Sequence, residues 1–261
     1  MGKLIFFDID GTLRAEEDGY LPQSTIDAIA AARKNGHKVF INTGRTAMNV
    51  REDIRFMGFD GYIFGCGTEI LYEGRTLFRK PIDTARCRSM AEAVRACDAA
   101  PLYERSDALF LDSKARVIPW MQDLLDLYDR QGLPVQDLQE SNDFSYDKFV
   151  IWYDAQTDME GFRRLIQGHY TYIDRGYGFA ELPPVGCSKA TGMDFILREL
   201  GGSPEDTIAI GDSLNDLEML KAAHIGIAMG NGEKLHPYAD FITKDLRDDG
   251  VAFALKQLGI I

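Results

Sequence analysis

Residues 6–12 read Phe-Phe-Asp-Ile-Asp-Gly-Thr (FFDIDGT), directly after Leu4-Ile5. The apolar run from Leu4 to Phe7 predicts a buried strand, and Asp10-Gly11 predicts the turn that ends it. Side chains alternate along a strand, so Asp8 and Asp10 leave it on the same side. A turn-forming Asp-Gly pair accounts for Asp10 by itself. Asp8 follows the apolar run and should be mostly buried, where an uncompensated carboxylate is costly. A cation, a metal or a dense set of donors is therefore expected at this strand end.

The neighbouring sequence repeats the rhythm. LIFF (4–7), KVFINT (38–43) and GYIFG (61–65) read as strands, with helical patterns in PQSTIDAIAAARKNG and TAMNVREDIRFMG between them. A hairpin is expected around Glu73-Gly74. The alternation returns with a helix over 188–202, the strand TIAIGD (207–212) and the helix NDLEMLKAA. The strands IGIAMG (225–230) and ADFITK and the helix VAFALKQLG close the chain. Such alternation is the signature of βαβ units on a parallel sheet.

Between Pro81 and Pro184 the pattern changes. Helices are expected over 84–98, 116–130 and 158–168, with strands over 101–105, 108–112 and KFVIWY and a strand pair around Asp174-Arg175-Gly176. Strands joined by tight turns predict an antiparallel sheet with helices on one face. The expected fold is thus a doubly wound, Rossmann-like α/β core formed by 1–82 and 186–261. An α+β domain, 83–185, is inserted into it.

Composition narrows the function. The 261 residues are 45% hydrophobic and carry a formal charge of −12 with no run of Lys or Arg. An acidic surface disfavours binding along nucleic acid or an anionic membrane. It leaves room for a small phosphorylated metabolite, because a few local cations or a metal can reverse the field in a cleft. Cys66, Cys87, Cys97 and Cys187 form no C-x-x-C and read as free thiols. His37, His169, His224 and His236 never fall at zinc-ligand spacing. With no charged-then-apolar leader and no membrane-length apolar stretch, a cytoplasmic location is expected. Oligomeric state has no signature here.

Three other strand ends carry polar groups. INTGR (41–45) offers the Thr43 hydroxyl and the Gly44 turn before a helix N-terminus, where unpaired N–H groups suit an anion. IGDSLND (210–216) ends an apolar run with Asp212 and places Asp216 one turn further, although a plain helix-capping cluster would read alike. Lys189 opens a helix, where a solvated lysine is the plain alternative. In open α/β sheets, ligands bind beyond the carboxyl ends of the strands where strand order reverses. Right-handed crossovers can set strand one between strand two and the Asp212 strand, so that Asp8, Asp10, Thr43 and Asp212 meet in one crevice. Oxygen ligands of this kind suit Mg²⁺, and Thr43, helix amides and Lys189 suit a tetrahedral oxyanion. Together they describe phosphoryl transfer.

Four segments in this order, Asp8-Ile-Asp10-Gly-Thr, Thr43-Gly-Arg, Lys189 after ELPPVGCS, and Gly211-Asp-Ser-Leu-Asn-Asp216, resemble the haloacid dehalogenase-like phosphatases. Within them the chain is similar to the Cof-type branch, class IIB, with a large C2 cap. The resemblance implies that Asp8 is the nucleophile that carries an aspartyl-phosphate. It makes Asp10 the acid and base, with its backbone carbonyl on Mg²⁺. Thr43, Gly44 and Lys189 would hold phosphoryl oxygens, with Asn215 near the phosphate. Asp212 would complete the metal site and Asp216 would orient its waters. The implied activity is hydrolysis of a small phosphate monoester, commonly a sugar phosphate, with the cap setting the leaving group. The chain departs from the branch at Gly65-Cys66-Gly67-Thr68, where an Asn-Gly-Ala-like turn is common, and Cys66 reads as a small buried thiol. Other readings remain open: a phosphomutase with the same intermediate, a phospho-accepting receiver-like domain, or a D-x-D sugar transferase.

Overall fold

The computed structural model describes residues 2–261. In chain order, β1 (Leu4–Phe7), α1 (Gln23–Lys34), β2 (Lys38–Asn42), α2 (Glu52–Arg55) and β3 (Gly61–Phe64) lead to the hairpin β4 (Glu69–Tyr72) and β5 (Arg75–Arg79). Next come α3 (Thr84–Ala96), β6 (Ala100–Glu104), β7 (Leu109–Leu111), α4 (Pro119–Arg130) and β8 (Val135–Asp137). They are followed by β9 (Lys148–Trp152), α5 (Met159–Ile166), β10 (Ile173–Gly176) and β11 (Phe179–Leu182). The chain ends with α6 (Lys189–Glu199), β12 (Thr207–Gly211), α7 (Leu217–Ala222), β13 (Ile225–Ala228), β14 (Phe241–Ile242) and α8 (Gly250–Gln257). These elements form two compact units, one of residues 2–44, Val50–Phe78 and Cys187–Ile261, the other of Arg45–Asn49 and Arg79–Gly186. The fold class is the expected one, a doubly wound α/β core with an α+β insertion.

The first unit holds an eight-stranded sheet in the order β14-β13-β12-β1-β2-β3-β4-β5. Strand β1 pairs in parallel with both β12 and β2, so the strand order reverses at β1. Strands covered on both faces carry unbroken apolar runs, and β1 is buried at all four residues. Phe6 stacks on Phe40 with ring centroids 5.0 Å apart. Leu4, Ile63, Ile196, Ala209 and Met219 pack around this pair. Phe7 stands level with Ile41 and Ile210. The residues that follow them, Asp8, Asn42 and Gly211, therefore share one edge. The expected hairpin turns at Glu73 (φ 48°) and Gly74 (φ 76°), the paired left-handed residues of a type I′ turn.

One expected helix is broken. Residues 46–58 form a single 3₁₀ turn, Ala47–Asn49, and the four-residue α2. The Arg45 guanidinium donates to the Asn49 carbonyl at 3.1 Å and so takes an acceptor that a continuous helix would use.

The second unit is a six-stranded sheet in the order β10-β11-β9-β6-β7-β8. Its pairs are antiparallel except β7–β8, which is parallel through a strand the sequence did not suggest. The β10–β11 turn lies at Gly176-Tyr177-Gly178, all at positive φ, slightly beyond the expected place. Helices cover both faces rather than one. Tyr103, Phe149 and Ile151 pack with Cys87, Met90 and Val94 of α3 and Phe162 of α5. Their strand neighbours Leu102, Val150 and Trp152 point the other way, onto Met121 and Tyr128 of α4. Among the described residues, no helix is long and apolar enough to cross a membrane.

Candidate active site

Asp8 ends β1 with only 4% of its surface exposed. The chain then turns tightly: the Thr12, Leu13 and Arg14 N–H groups all donate to the Ile9 carbonyl, and Gly11 N–H donates to Arg14 at 2.8 Å. Gly11 adopts φ +83°, and a Cβ there would lie 2.2 Å from Asp212 Oδ2. Glycine is required twice over, by backbone conformation and by the carboxylate resting on the turn. The Thr12 hydroxyl donates to Asp212 Oδ1 at 3.3 Å.

Lys189 reaches the same place from α6. Ser188 caps that helix in a reciprocal box with Thr191, which fixes Lys189 as its first residue. The Asn42 amide donates to the Lys189 carbonyl at 2.9 Å and ties the helix start to β2. The buried ammonium donates to Asp8 Oδ1 at 2.7 Å and to Asp216 Oδ1 at 2.5 Å. Asp216 is fully buried, and its second oxygen accepts the Asp212 and Ser213 N–H groups at 3.1 and 3.2 Å.

Carboxylate oxygens of Asp8, Asp212 and Asp216 lie within 4.8 Å of one another. One ammonium faces three acids. Burial and then the Asp216 charge push Asp8 up to about 7, although Lys189 pulls the other way. Burial and then the Asp8 charge push Asp212 up to about 8. Burial opposes the Lys189 charge too, but Asp216 and Asp8 outweigh it and raise its pKa. The cluster is short of positive charge, and its donors are all hard oxygens, which fits a divalent cation such as Mg²⁺. Asp8 and Asp212 have oxygens to offer it. Those of Asp216 are engaged by Lys189 and two backbone N–H groups.

The other expected residues lie on the turns that follow β1, β2 and β12. Asp10 is half-buried and its charge is felt by Asp8, but its carboxylate is not one of the three that converge. Thr43 is buried at the end of β2, its N–H on the Ile63 carbonyl and its carbonyl on the Cys66 N–H at 3.0 Å. Gly44 follows it, half-buried. The Asn215 side-chain amide oxygen accepts from the Ser213 hydroxyl at 2.6 Å, within its own turn. Cys66 has φ 56°, a conformation in which Asn is the commoner non-glycine residue. Thr12, Asn42 and Ser188 escaped sequence reading. Thr12 and Ser188 look like ordinary turn and cap residues, whereas Asn42, a polar residue closing an apolar run, repeated the signal that singled out Asp8.

A family model for haloacid dehalogenase-like hydrolases matches residues 5–255. The 5-amino-6-(5-phospho-D-ribitylamino)uracil phosphatase YcsE of Bacillus subtilis is 28% identical over 98% of this chain and 95% of its own. Among solved structures, BT1666 of Bacteroides thetaiotaomicron, studied among phosphatases of that superfamily, superposes with a TM-score of 0.85 at 30% identity, over 100% of this chain and 96% of its own. BT4131, a subclass IIB sugar phosphatase, gives 0.83 at 27% identity, over 99% of this chain and 100% of its own.

Proposed function

The chain belongs to the haloacid dehalogenase-like hydrolases and is a phosphatase, and on that premise we propose that it hydrolyses a small sugar phosphate with Mg²⁺ through an aspartyl-phosphate on Asp8. The observation that carries this reading is Asp8 itself, a buried carboxylate held at 2.7 Å by Lys189 at the carboxyl end of the central strand. An Asp8 oxygen attacks phosphorus, the ester P–O bond breaks, and Asp10 gives its proton to the departing alkoxide. Asp10 then takes a proton from the water that attacks phosphorus, and Asp8 leaves as carboxylate while inorganic phosphate forms. Thr43, Gly44 and Lys189 donate to the phosphoryl oxygens, and Asn215 joins them through its side-chain amide nitrogen. Mg²⁺ held by Asp8, Asp212 and the Asp10 carbonyl, with Asp216 behind them, would neutralise charge on the transferring group.

YcsE is named for a ribityl phosphate and BT4131 for sugar phosphates, so both names place the phosphate on a polyol or sugar carbon. The inserted unit serves as a cap that selects the leaving group. Four free cysteines favour a reducing, cytoplasmic setting.

A panel of phosphorylated metabolites, assayed for free phosphate with Mg²⁺ and with a chelator, tests the reading. Sugar phosphates should release phosphate only with the metal. An isomeric ester without free phosphate would identify a mutase, and no turnover of any ester would refute the proposal.

A further inference from the structure

Asn231 lies in the loop after β13. Its amide nitrogen donates to the Gly11 carbonyl at 2.8 Å, and its amide oxygen accepts the Leu246 N–H at 3.1 Å. A carbonyl can only accept and a backbone N–H can only donate, so these partners fix which way the amide points. The next residue, Gly232, lies against Asp212, where a Cβ would come within 2.6 Å of the Asp212 carbonyl oxygen. The loop therefore touches both acid-bearing turns, one through the Asn231 side chain and the other through Gly232. It is itself anchored, by Met229 N–H on the Gly211 carbonyl at 2.9 Å and Gly230 N–H on Lys244 at 3.0 Å. Asn231 is exposed, so core packing does not demand it.

We propose that Asn231 is a positioning residue, which through the Gly11 carbonyl holds the Asp8–Asp10 turn at the separation from Asp212 that a shared divalent cation needs. The inference rests on the metal-dependent reading above. The last backbone rung between β1 and β12 is Asp8 N–H on Ile210 at 3.0 Å. Beyond that rung the Asp10 turn is closed mainly by its own bonds to Ile9 and Arg14. Repulsion among Asp8, Asp212 and Asp216 works to spread the two strand ends. A neutral amide on a backbone carbonyl resists that spreading without adding charge, and ligands held by fixed outer partners bind metal more tightly.

Asn231→Ala and Asn231→Asp test it, with Mg²⁺ affinity measured by calorimetry on the substrate-free protein, alongside kcat and KM. Aspartate keeps the size and the acceptor for Leu246 but turns an oxygen toward the Gly11 carbonyl. Its extra charge can only favour a cation, so a weakened site in Asn231→Asp reports geometry. Both variants should bind Mg²⁺ about 10- to 100-fold more weakly, with kcat lowered and KM for the ester little changed. Asn231→Ala with the parent's affinity would show that the bond to Gly11 does not set the site and would overturn the proposal. If the parent protein binds no Mg²⁺, the metal reading falls together with this inference. If the parent binds Mg²⁺ and the variants match it, this inference falls alone.

Discussion

Asparagine has nearly the shape of aspartate, and at position 8 the exchange isolates the charge. Asp8→Asn should lower kcat by on the order of 10⁴ or more, because it removes the proposed nucleophile. The same variant should unfold at a higher temperature than the parent in chelator, since a buried and crowded charge has been removed. Acidity tells the same story. Asp8 and Asp212 hold protons more tightly folded than unfolded, at about 7 and about 8 against an ordinary 3.8. Their contribution to stability is full below 3.8 and is lost as pH rises through those folded values. The metal-free midpoint of thermal unfolding should therefore fall between about pH 4 and about pH 8. Saturating Mg²⁺ should remove most of that fall, and the double variant Asp8→Asn/Asp212→Asn should lack it. A flat metal-free profile in the parent would mean that these acids are compensated in some other way. Asp8 was legible in sequence because a charge closing an apolar run has no cheap structural reason. Thr12 and Ser188 were not, because small polar residues fill turns and caps everywhere.

Among the elements, α6 matters for what it presents. Ser188→Ala removes the cap and should cost about 1 kcal/mol of stability. It should also lower kcat, since Lys189 is the residue whose start position the cap fixes. Thermal midpoint and kcat together check this, and an unchanged kcat would detach the cap from function. In the second unit, β6, β9, β10 and β11 carry an ionic ridge centred on buried Lys148 and Glu181. Lys148 Nζ lies 2.8 Å from Glu181 and 3.7 Å from Glu104, and Arg175 lies 2.8 Å from Glu181. Burial raises the Glu104 pKa even though Lys148 opposes it. Lys148→Met should cost about 3–5 kcal/mol in a denaturant titration, because it leaves carboxylates buried with less compensation. The unbroken apolar run of β1 and the clear periods of α1, α3 and α4 were legible. Strand β8 was not, since three residues show no period and pairing with β7 supplies the order. The broken helix at 46–58 was hidden because Arg45 takes a backbone acceptor that local propensity cannot see.

At the scale of the molecule, the alternation of apolar runs and helical patterns was enough for the doubly wound core. The register of β12, β1 and β2 then does what the crossovers predicted, setting Asp8 between its two neighbours. The sheet thus gathers chemistry from residues as far apart in sequence as Asp8 and Asp216, joined by Lys189. The second unit's helices on both faces went unread, because only the alternation of Leu102 and Tyr103 decides which face each of α3 and α4 covers. The central claim, that the converging acids exist to pass a phosphoryl group through Asp8, is tested most directly by quenching the enzyme in acid during turnover of a good ester with Mg²⁺ and sequencing its peptides by mass spectrometry. The account predicts one phosphoryl group on Asp8 and none in an inactive Asp8→Asn. A phosphoryl group on another residue, or undiminished turnover by Asp8→Asn, would contradict it.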